Sequence, residues 1–98
     1  MDYAFSWDLQ KAASNLLKHR ISFDAAIQVF EDPLAVFLQD RIEDGEPRWQ
    51  VIGTVKGMEM LLVAFVSKGF EDNMEYIRII SARRADKHER QIHESQDS

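Results

Sequence analysis

The stretch that decides the fold reads RWQVIGTV, residues 48–55. Its apolar side chains Trp49, Val51 and Val55 share one parity, and polar side chains occupy most of the other. Successive residues of a β-strand point to opposite faces of a sheet, so this alternation predicts a strand with one buried face. The side chains predicted on the open face are Arg48, Gln50 and Thr54.

Three further strands are predicted around this one. Residues 34–39 combine β-branched and aromatic side chains, which favour strands. Residues 59–66 are apolar on both parities, as in a central strand, and residues 74–81 form the last strand. We therefore expect a mostly antiparallel four-stranded sheet. The predicted connections are an acidic loop at residues 40–47, a tight turn at Lys56-Gly57 and a turn at residues 69–73.

Two helices are predicted before the sheet. Asp8 is a suitable N-cap for a helix that runs to about His19, because its carboxylate accepts the free backbone N–H groups. Ser22 is a suitable N-cap for a second helix, which Asp32-Pro33 ends because the residue before proline disfavours helix. The apolar residues expected to point inward are Ala12, Leu16 and Leu17 on the first helix and Ala25, Ala26, Val29 and Phe30 on the second.

A third helix is predicted after the sheet. Asp86 and Glu89 have the spacing of a capping box, which places this helix at residues 87–94 and leaves residues 82–85 as a link. The polar residues 95–98 are expected to fray. The predicted architecture is α+β in one domain, residues 1–98, with the helices segregated to one face or end of the sheet.

The composition excludes several classes of protein. The chain has 98 residues and no cysteine, so disulfides and thiolate metal sites are excluded. The longest apolar stretch, residues 60–66, is far shorter than the roughly 20 residues that span a bilayer. No basic and apolar leader opens the chain. We expect a cytoplasmic protein that does not engage a membrane.

The charges are segregated along the chain. The formal net charge of −5 argues by itself against nucleic-acid binding, which relies on lysine and arginine. Residues 24–47 contain seven acidic residues and one base, whereas residues 76–93 contain five lysine and arginine residues and two acids. A basic site is therefore possible on an acidic protein.

A candidate anion site lies on the open face of the predicted sheet. Arg48 and Gln50 share this face, and Tyr76 and Arg78 share a parity on the last strand. A guanidinium binds two phosphate oxygens at once, and an aromatic ring can stack on a base. The alternative is an ordinary solvated face with surface charges.

Two other groups of basic residues are candidates. Lys18 and His19 end the first helix, where histidine could move a proton, although the helix dipole favours cations there in any case. Arg83 and Arg84 follow the last strand and could bind phosphate or an acidic partner; the alternative is a solvated helix face. The basic residues that continue this group are Lys87, His88 and Arg90.

Metal binding is not expected. His88 and His93 are five residues apart, off the spacing of three or four that places ligands on one helical face. The sequence has no glycine-rich phosphate loop and no nucleophile elbow. Neither a metal nor another cofactor is therefore predicted.

Three segments resemble one known family. Residues 5–26, FSWDLQKAASNLLKHRISFDAA, resemble the BrnT signature F-x-W-D-x-x-K-x-x-x-N-x-x-K-H-x-[IV]-x-F-x-x-A. Residues 48–53, RWQVIG, are similar to its R-x-x-x-I-G segment, and residues 77–85, IRIISARRA, resemble its I-R-I-I-S-A-R-x-A end. One departure is Asp86, where family members often carry threonine or serine, and the last helix has fewer bases.

The resemblance implies a toxin of a bacterial type II toxin–antitoxin pair. It implies a RelE-like fold, inhibition of translation by RNA cleavage, and a BrnA-like antitoxin that binds DNA, so that DNA is engaged only through the antitoxin. The residues it points to as catalytic are Lys18, His19, Arg48, Arg78 and Arg83. It assigns the open face to RNA, and the residues predicted to bind RNA are Gln50, Tyr76 and Arg84. The charge of the basic segment at residues 78–90 further predicts that an acidic antitoxin segment binds Arg84, Lys87 and Arg90; the alternative is that the antitoxin binds the acidic residues 24–47.

Three hypotheses follow. The first is a metal-independent endoribonuclease in which the ribose 2′-OH attacks the adjacent phosphorus, the arginines stabilise the charge, His19 transfers a proton and Lys18 supplies a second cation. The second is a catalytically inert binding module that pairs with an antitoxin in a regulatory complex. The third is a plain interaction protein that uses the acidic residues 40–47.

Overall fold

A mixed five-stranded sheet organises the structure, a computed structural model that describes residues 2–56 and 59–97. The strand order is β1-β5-β4-β3-β2, with β1 parallel to β5 and the other neighbours antiparallel. An α+β fold is therefore confirmed. The strands are β1 (Asp2–Ser6), β2 (Val36–Glu43), β3 (Glu46–Thr54), β4 (Met60–Glu71) and β5 (Met74–Arg84).

The expectation of four strands is wrong, because β1 adds an edge strand before the first helix. Tyr3 and Phe5 alternate with smaller or polar residues and pack on the core, while Ser6 pairs with Arg78 of β5. A parallel pair needs a long crossover between its strands, and the whole chain from β1 to β5 supplies that crossover. The five residues of β1 do not reveal from their own pattern that they pair with a strand so far along the chain.

The predicted acidic loop is also wrong. Both strands extend into residues 40–47, and only Asp44 and Gly45 form the turn between them. Both have positive φ, 52° and 78°, as a type I′ hairpin turn requires. In the same way β4 continues past Gly69, and the next turn is Asp72-Asn73 with φ of 50° and 69°. The predicted Lys56-Gly57 turn lies partly outside the described residues.

The first two helices begin at the predicted N-caps. Helix α1 (Leu9–His19) starts after Asp8, and helix α2 (Phe23–Ala26) starts after Ser22 and continues as a 3-10 helix, Ile27–Glu31. The predicted apolar stripe of α1 is wrong in part. Leu16 and Leu17 are 48% and 76% exposed, whereas Asn15 is only 6% exposed.

The helices cover both faces of the sheet, contrary to the expectation that they share one face or end. Residues of α2 and the 3-10 helix pack with Val51, Val63 and Ile79 on the first face. Helix α3 (Lys87–Glu94) lies on the second face, where Ile92 contacts the cluster of Ile52 and Leu62. Its capping box is confirmed, β5 runs on to Arg84, and residues Ser95–Asp97 form a 3-10 helix.

In the described part of the chain, no helix is both long and apolar enough to cross a membrane.

Candidate functional site

A bulge in β5 sets which arginines share a face. Val66 pairs with Arg78 and Ala64 pairs with Ser81, so β5 carries one residue more than β4 between these pairs. The extra residue shifts the alternation of side chains. Arg78, Ser81 and Arg83 therefore lie on the second face, the one that α3 covers in part. Arg84 pairs with Leu61 of the core and lies on the first face.

Arg48 and Arg78 flank Val66 on the part of the second face that α3 leaves open. Trp49 pairs with Phe65 across β3 and β4, which places Arg48 beside Val66, and Val66 pairs with Arg78. Lys68 and Glu46 join them, with 2.6 Å between Lys68 Nζ and Glu46 Oε2. We name these four residues, Glu46, Arg48, Lys68 and Arg78, the open-face cluster.

The charges of the cluster act on one another. The pKa of Glu46 lies below its ordinary value, first because Lys68 donates a hydrogen bond to it and attracts it, and further because the charges of Arg48 and Arg78 act on it. Three cations thus surround one carboxylate. The open-face cluster therefore carries a net positive charge, although the formal net charge of the chain is −5.

One donor of the cluster has no acceptor. Arg48 Nε is buried and makes no hydrogen bond within the described part of the chain. Buried polar atoms in native structures almost always have a partner, so an orphaned guanidinium N–H is an observation that needs an explanation. Because Nε has almost no accessible surface, an anion on the open face would reach it only if the Arg48 side chain moved.

A groove between α1 and β5 lies beside the cluster. Its volume is about 440 Å³, and Lys18, His19 and Lys11 line it together with Ser81. Asp8 also lines it, and its pKa is held below the ordinary value by the backbone N–H groups of Lys11 and Gln10 and then by the charges of Lys11 and Arg78. Arg78 is thus close to both sites, which makes the groove and the cluster neighbours.

Asn15 fixes α1 against the part of β5 that β1 does not cover. Its side-chain amide donates to the carbonyls of Ile21 (3.0 Å) and Ala82 (2.9 Å) and accepts from the N–H of Ala82 (3.1 Å). The side chain thereby satisfies a strand edge as a further strand would. This role of Asn15 was not predicted, although Asn15 belongs to the signature and is a polar residue beside the apolar residues of α1.

The other residues predicted to bind or cleave RNA lie in different surroundings. Gln50 pairs with Ala64 and Tyr76 pairs with Ala4, so both lie on the same face as the cluster, and Tyr76 is 42% exposed. Arg83 binds Glu89 through both terminal nitrogens, each at 2.8 Å. Its charge is thus already paired with the capping carboxylate of α3.

The predicted antitoxin residues are partly occupied by contacts within the chain. Arg84 lies 3.3 Å from a carboxylate oxygen of Glu59 and donates to the carbonyl of His19, away from Arg48 and Arg78. Arg90 donates to the carbonyl of Ala85 at 2.9 Å. Lys87 is exposed.

His93 is buried and acts within the fold. Its Nε2 lies 2.9 Å from Asp32 Oδ2, and both side chains are 6% exposed. The pair joins α3 to the segment that follows the 3-10 helix. Among the described residues, no group of three histidine, aspartate or glutamate side chains is placed to hold a metal ion.

A comparison with protein families identifies the chain. The family model described as "Ribonuclease toxin, BrnT, of type II toxin-antitoxin system" matches residues 7–89. The chain belongs to the BrnT family. The match covers α1, the whole of β2 to β5 and the start of α3, so it includes the open-face cluster and the groove. The predicted resemblance is confirmed.

A solved structure supports the fold. The chain is similar to the 1.1 Å crystal structure of the Brucella abortus ribonuclease toxin BrnT, with a TM-score of 0.67 and 24% sequence identity. The similarity covers 89% of this chain and 100% of that chain. At 24% identity, this similarity supports the fold alone. No curated protein matches the chain.

Proposed function

We propose that this BrnT-family chain is an endoribonuclease toxin, and that its open-face cluster binds the phosphate at which RNA is cut. The observation that carries the proposal is the pair Arg48 and Arg78, which flank Val66 on an open sheet face while Arg48 Nε has no acceptor among the described residues. Guanidinium groups suit this task because their donors match phosphate oxygens in pairs.

The proposed reaction uses a nucleophile that the substrate supplies. The ribose 2′-oxygen attacks the adjacent phosphorus, the bond from phosphorus to the 5′-oxygen breaks, and the products are a 2′,3′-cyclic phosphate and a 5′-hydroxyl. Arg48 and Arg78 stabilise the negative charge that develops on the phosphate oxygens. The 2′-hydroxyl proton passes to solvent, and the leaving 5′-oxygen gains a proton from solvent. Proton transfer by His19 and a second cation from Lys18 stay predictions, because α1 places both residues at the end where Arg84 contacts the His19 carbonyl, about 16 Å along the helix from Asp8, which lies near Arg78.

The rest of the RNA would follow the open face. We propose that Gln50 and Tyr76 contact nucleotides beside the cut, with Tyr76 offering a ring for stacking. Arg83 would have to leave Glu89 to bind phosphate, so a catalytic role for it stays a prediction. Arg84 lies on the first face and is not part of the proposed RNA path. We further propose a RelE-like mechanism, in which positioning of the RNA and charge stabilisation provide most of the rate enhancement.

An antitoxin completes the proposal. The family is that of a type II toxin–antitoxin system, and we propose a BrnA-like partner that holds the toxin inactive and provides the only link to DNA. The sequence-based surface for this partner, Arg84, Lys87 and Arg90, stays a prediction. We also propose that the protein acts in the cytoplasm, where its RNA substrate is.

RNA cleavage is expected to survive removal of divalent metal. Purified, partner-free protein should cut RNA at an undiminished rate in excess chelator, because the nucleophile and the charge stabilisation come from the RNA and the arginines. Cleavage that is lost in chelator and returns only with added metal would contradict this mechanism. A protein that binds its antitoxin but cuts no RNA under either condition would instead be the inert binding module.

A further inference from the structure

Helix α1 carries an apolar stripe that its own fold leaves in solvent. Leu9 is 80% exposed, Leu17 is 76% exposed and Leu16 is 48% exposed, and Ala13 is also exposed. At about 100° of rotation per residue, these four positions fall within one arc of roughly 100°. That is the width of a helix face that normally packs against another element.

The buried face of α1 is a different one. Ala12, Asn15 and His19 turn toward the body of the protein, and Asn15 provides the hydrogen bonds to β5. The leucines therefore contribute little to the fold in which they are found. Single exposed leucines are ordinary, but a contiguous apolar stripe on a surface helix is typical of a binding surface.

The charges beside the stripe indicate what it binds. At 100° per residue, Arg20 falls within the arc of the leucines, whereas Lys11 and Lys18 lie on the opposite side of the helix; residues 9–20 contain no acidic residue. A partner helix with its own apolar face and with carboxylates along the flanks would complement both features. A basic or neutral helix would complement only the leucines.

We propose that the exposed stripe of α1, Leu9, Ala13, Leu16 and Leu17, docks an acidic amphipathic helix of the antitoxin. The inference rests on the proposed function, since it assumes that the family's antitoxin is the partner. Carboxylates on the docked helix would reach Arg20, whereas Lys11 and Lys18 line the groove on the other side of α1.

A second copy of the chain fits the stripe less well. Helix α1 has 11 residues and is therefore about 16 Å long. Pairing through so short a stripe would bury well under the roughly 1,200 Å² of a stable interface, and it would bring two cationic helices together. An antitoxin segment that folds as it binds can continue beyond α1 and bury more surface.

The test is a double substitution of the two most exposed leucines, Leu9→Ser with Leu17→Ser. We expect the complex with the product of the reading frame adjacent to this chain's gene, purified after co-expression, to weaken at least thirtyfold, since buried interface anchors typically contribute about 2 kcal/mol or more. Ile42→Ser is the matched control, because Ile42 is 68% exposed on β2, and it should leave the affinity unchanged. Arg20→Glu should also weaken the complex and reduce its sensitivity to salt.

The outcomes separate this inference from the ribonuclease proposal. The double variant should keep the parent's rate of RNA cleavage, because the leucines lie outside the groove and the cluster. A parent chain that forms the complex through α1 but cuts no RNA would overturn the ribonuclease and leave the docking surface intact. An undiminished complex in the double variant, no complex with the parent, or a parent dimer that the double substitution converts to a monomer would each overturn the docking proposal.

Discussion

Replacing Arg78 or Arg48 with alanine should slow RNA cleavage by about a hundredfold, the usual cost of removing one donor that stabilises transition-state charge. Both arginines flank Val66 on the open face, and neither pairs as closely with a carboxylate as Arg83 does with Glu89. The measurement is single-turnover cleavage with the purified, partner-free variants. Folding should survive both changes, because partly exposed surface charges contribute little to stability.

Two further variants sharpen this result. Arg41→Ala is the matched control, since the Arg41 side chain is 70% exposed on β2 and, within the described ranges, pairs only with Glu43. This variant should cut RNA like the parent. Arg48→Lys should recover part of the lost rate, because it restores the charge without the forked donors. If Arg48→Ala and Arg78→Ala both cut RNA at the parent rate, the reaction takes place elsewhere on the molecule.

Removing the Asp32 carboxylate should cost about 3 kcal/mol of folding stability, the cost typical of breaking a buried pair. Asp32 Oδ1 accepts from the N–H of Leu34 at 2.9 Å. Its Oδ2 accepts from the N–H of Thr54 at 2.8 Å and from the Thr54 hydroxyl at 3.1 Å, and it meets His93. The close approach depends on Gly53, where a Cβ would lie 3.3 Å from Asp32 Oδ2. Asp32→Ala would leave these donors unpaired, and denaturant unfolding at neutral pH measures the loss.

The same carboxylate should impose a pH dependence on stability. Burial raises the pKa of Asp32, but hydrogen bonds from Thr54, Leu34 and His93 outweigh it and bring the value to about 2 from an ordinary 3.8. Because the folded pKa is the lower one, this stabilisation is complete above about pH 4 and is lost as the pH falls toward 2. The loss is on the order of 2 kcal/mol.

A comparison of the parent protein with the Asp32→Asn variant isolates the contribution of this carboxylate to the pH dependence of stability. Asp32→Asn should lack the step in stability between pH 4 and pH 2 that the parent shows, whereas the exposed control Asp40→Ala should retain it. A parent and an Asp32→Asn variant with the same stability and the same pH profile would show that the carboxylate does not hold α3 to the sheet.

The parts of the fold that local chemistry determines could be predicted from the sequence. Asp8, Ser22 and Asp86 cap helices at the predicted positions, since a cap depends on a few adjacent residues. The alternation in residues 48–55 correctly placed Arg48 and Gln50 on the open face. Strand β1 was missed because its partner β5 is about 70 residues away.

The errors in the candidate site have equally physical causes. Arg83 and Arg84 were grouped as one basic pair after the last strand, but β5 runs on to Arg84. The bulge near Ile80, of which sequence alternation carries no record, places Arg83 on the face of Arg78 and Arg84 on the other face. Glu46 was assigned to a loop because acidic residues are depleted in strands, yet the hairpin pairing places it beside Arg48. Leu16 and Leu17 were assigned to the core, because apolar spacing on a helix does not distinguish a buried face from one that binds a partner.

The most direct test of the central claim removes a single hydroxyl from the substrate. Once the position of a cut is mapped in a short RNA, a 2′-deoxy nucleotide is placed immediately 5′ of the cut, with the same change one nucleotide downstream as control. The account predicts that cutting at the first position stops, that the control is cut normally, and that the unmodified RNA yields a 2′,3′-cyclic phosphate and a 5′-hydroxyl. Continued cutting at the 2′-deoxy position, with 3′-hydroxyl and 5′-phosphate ends, would contradict it.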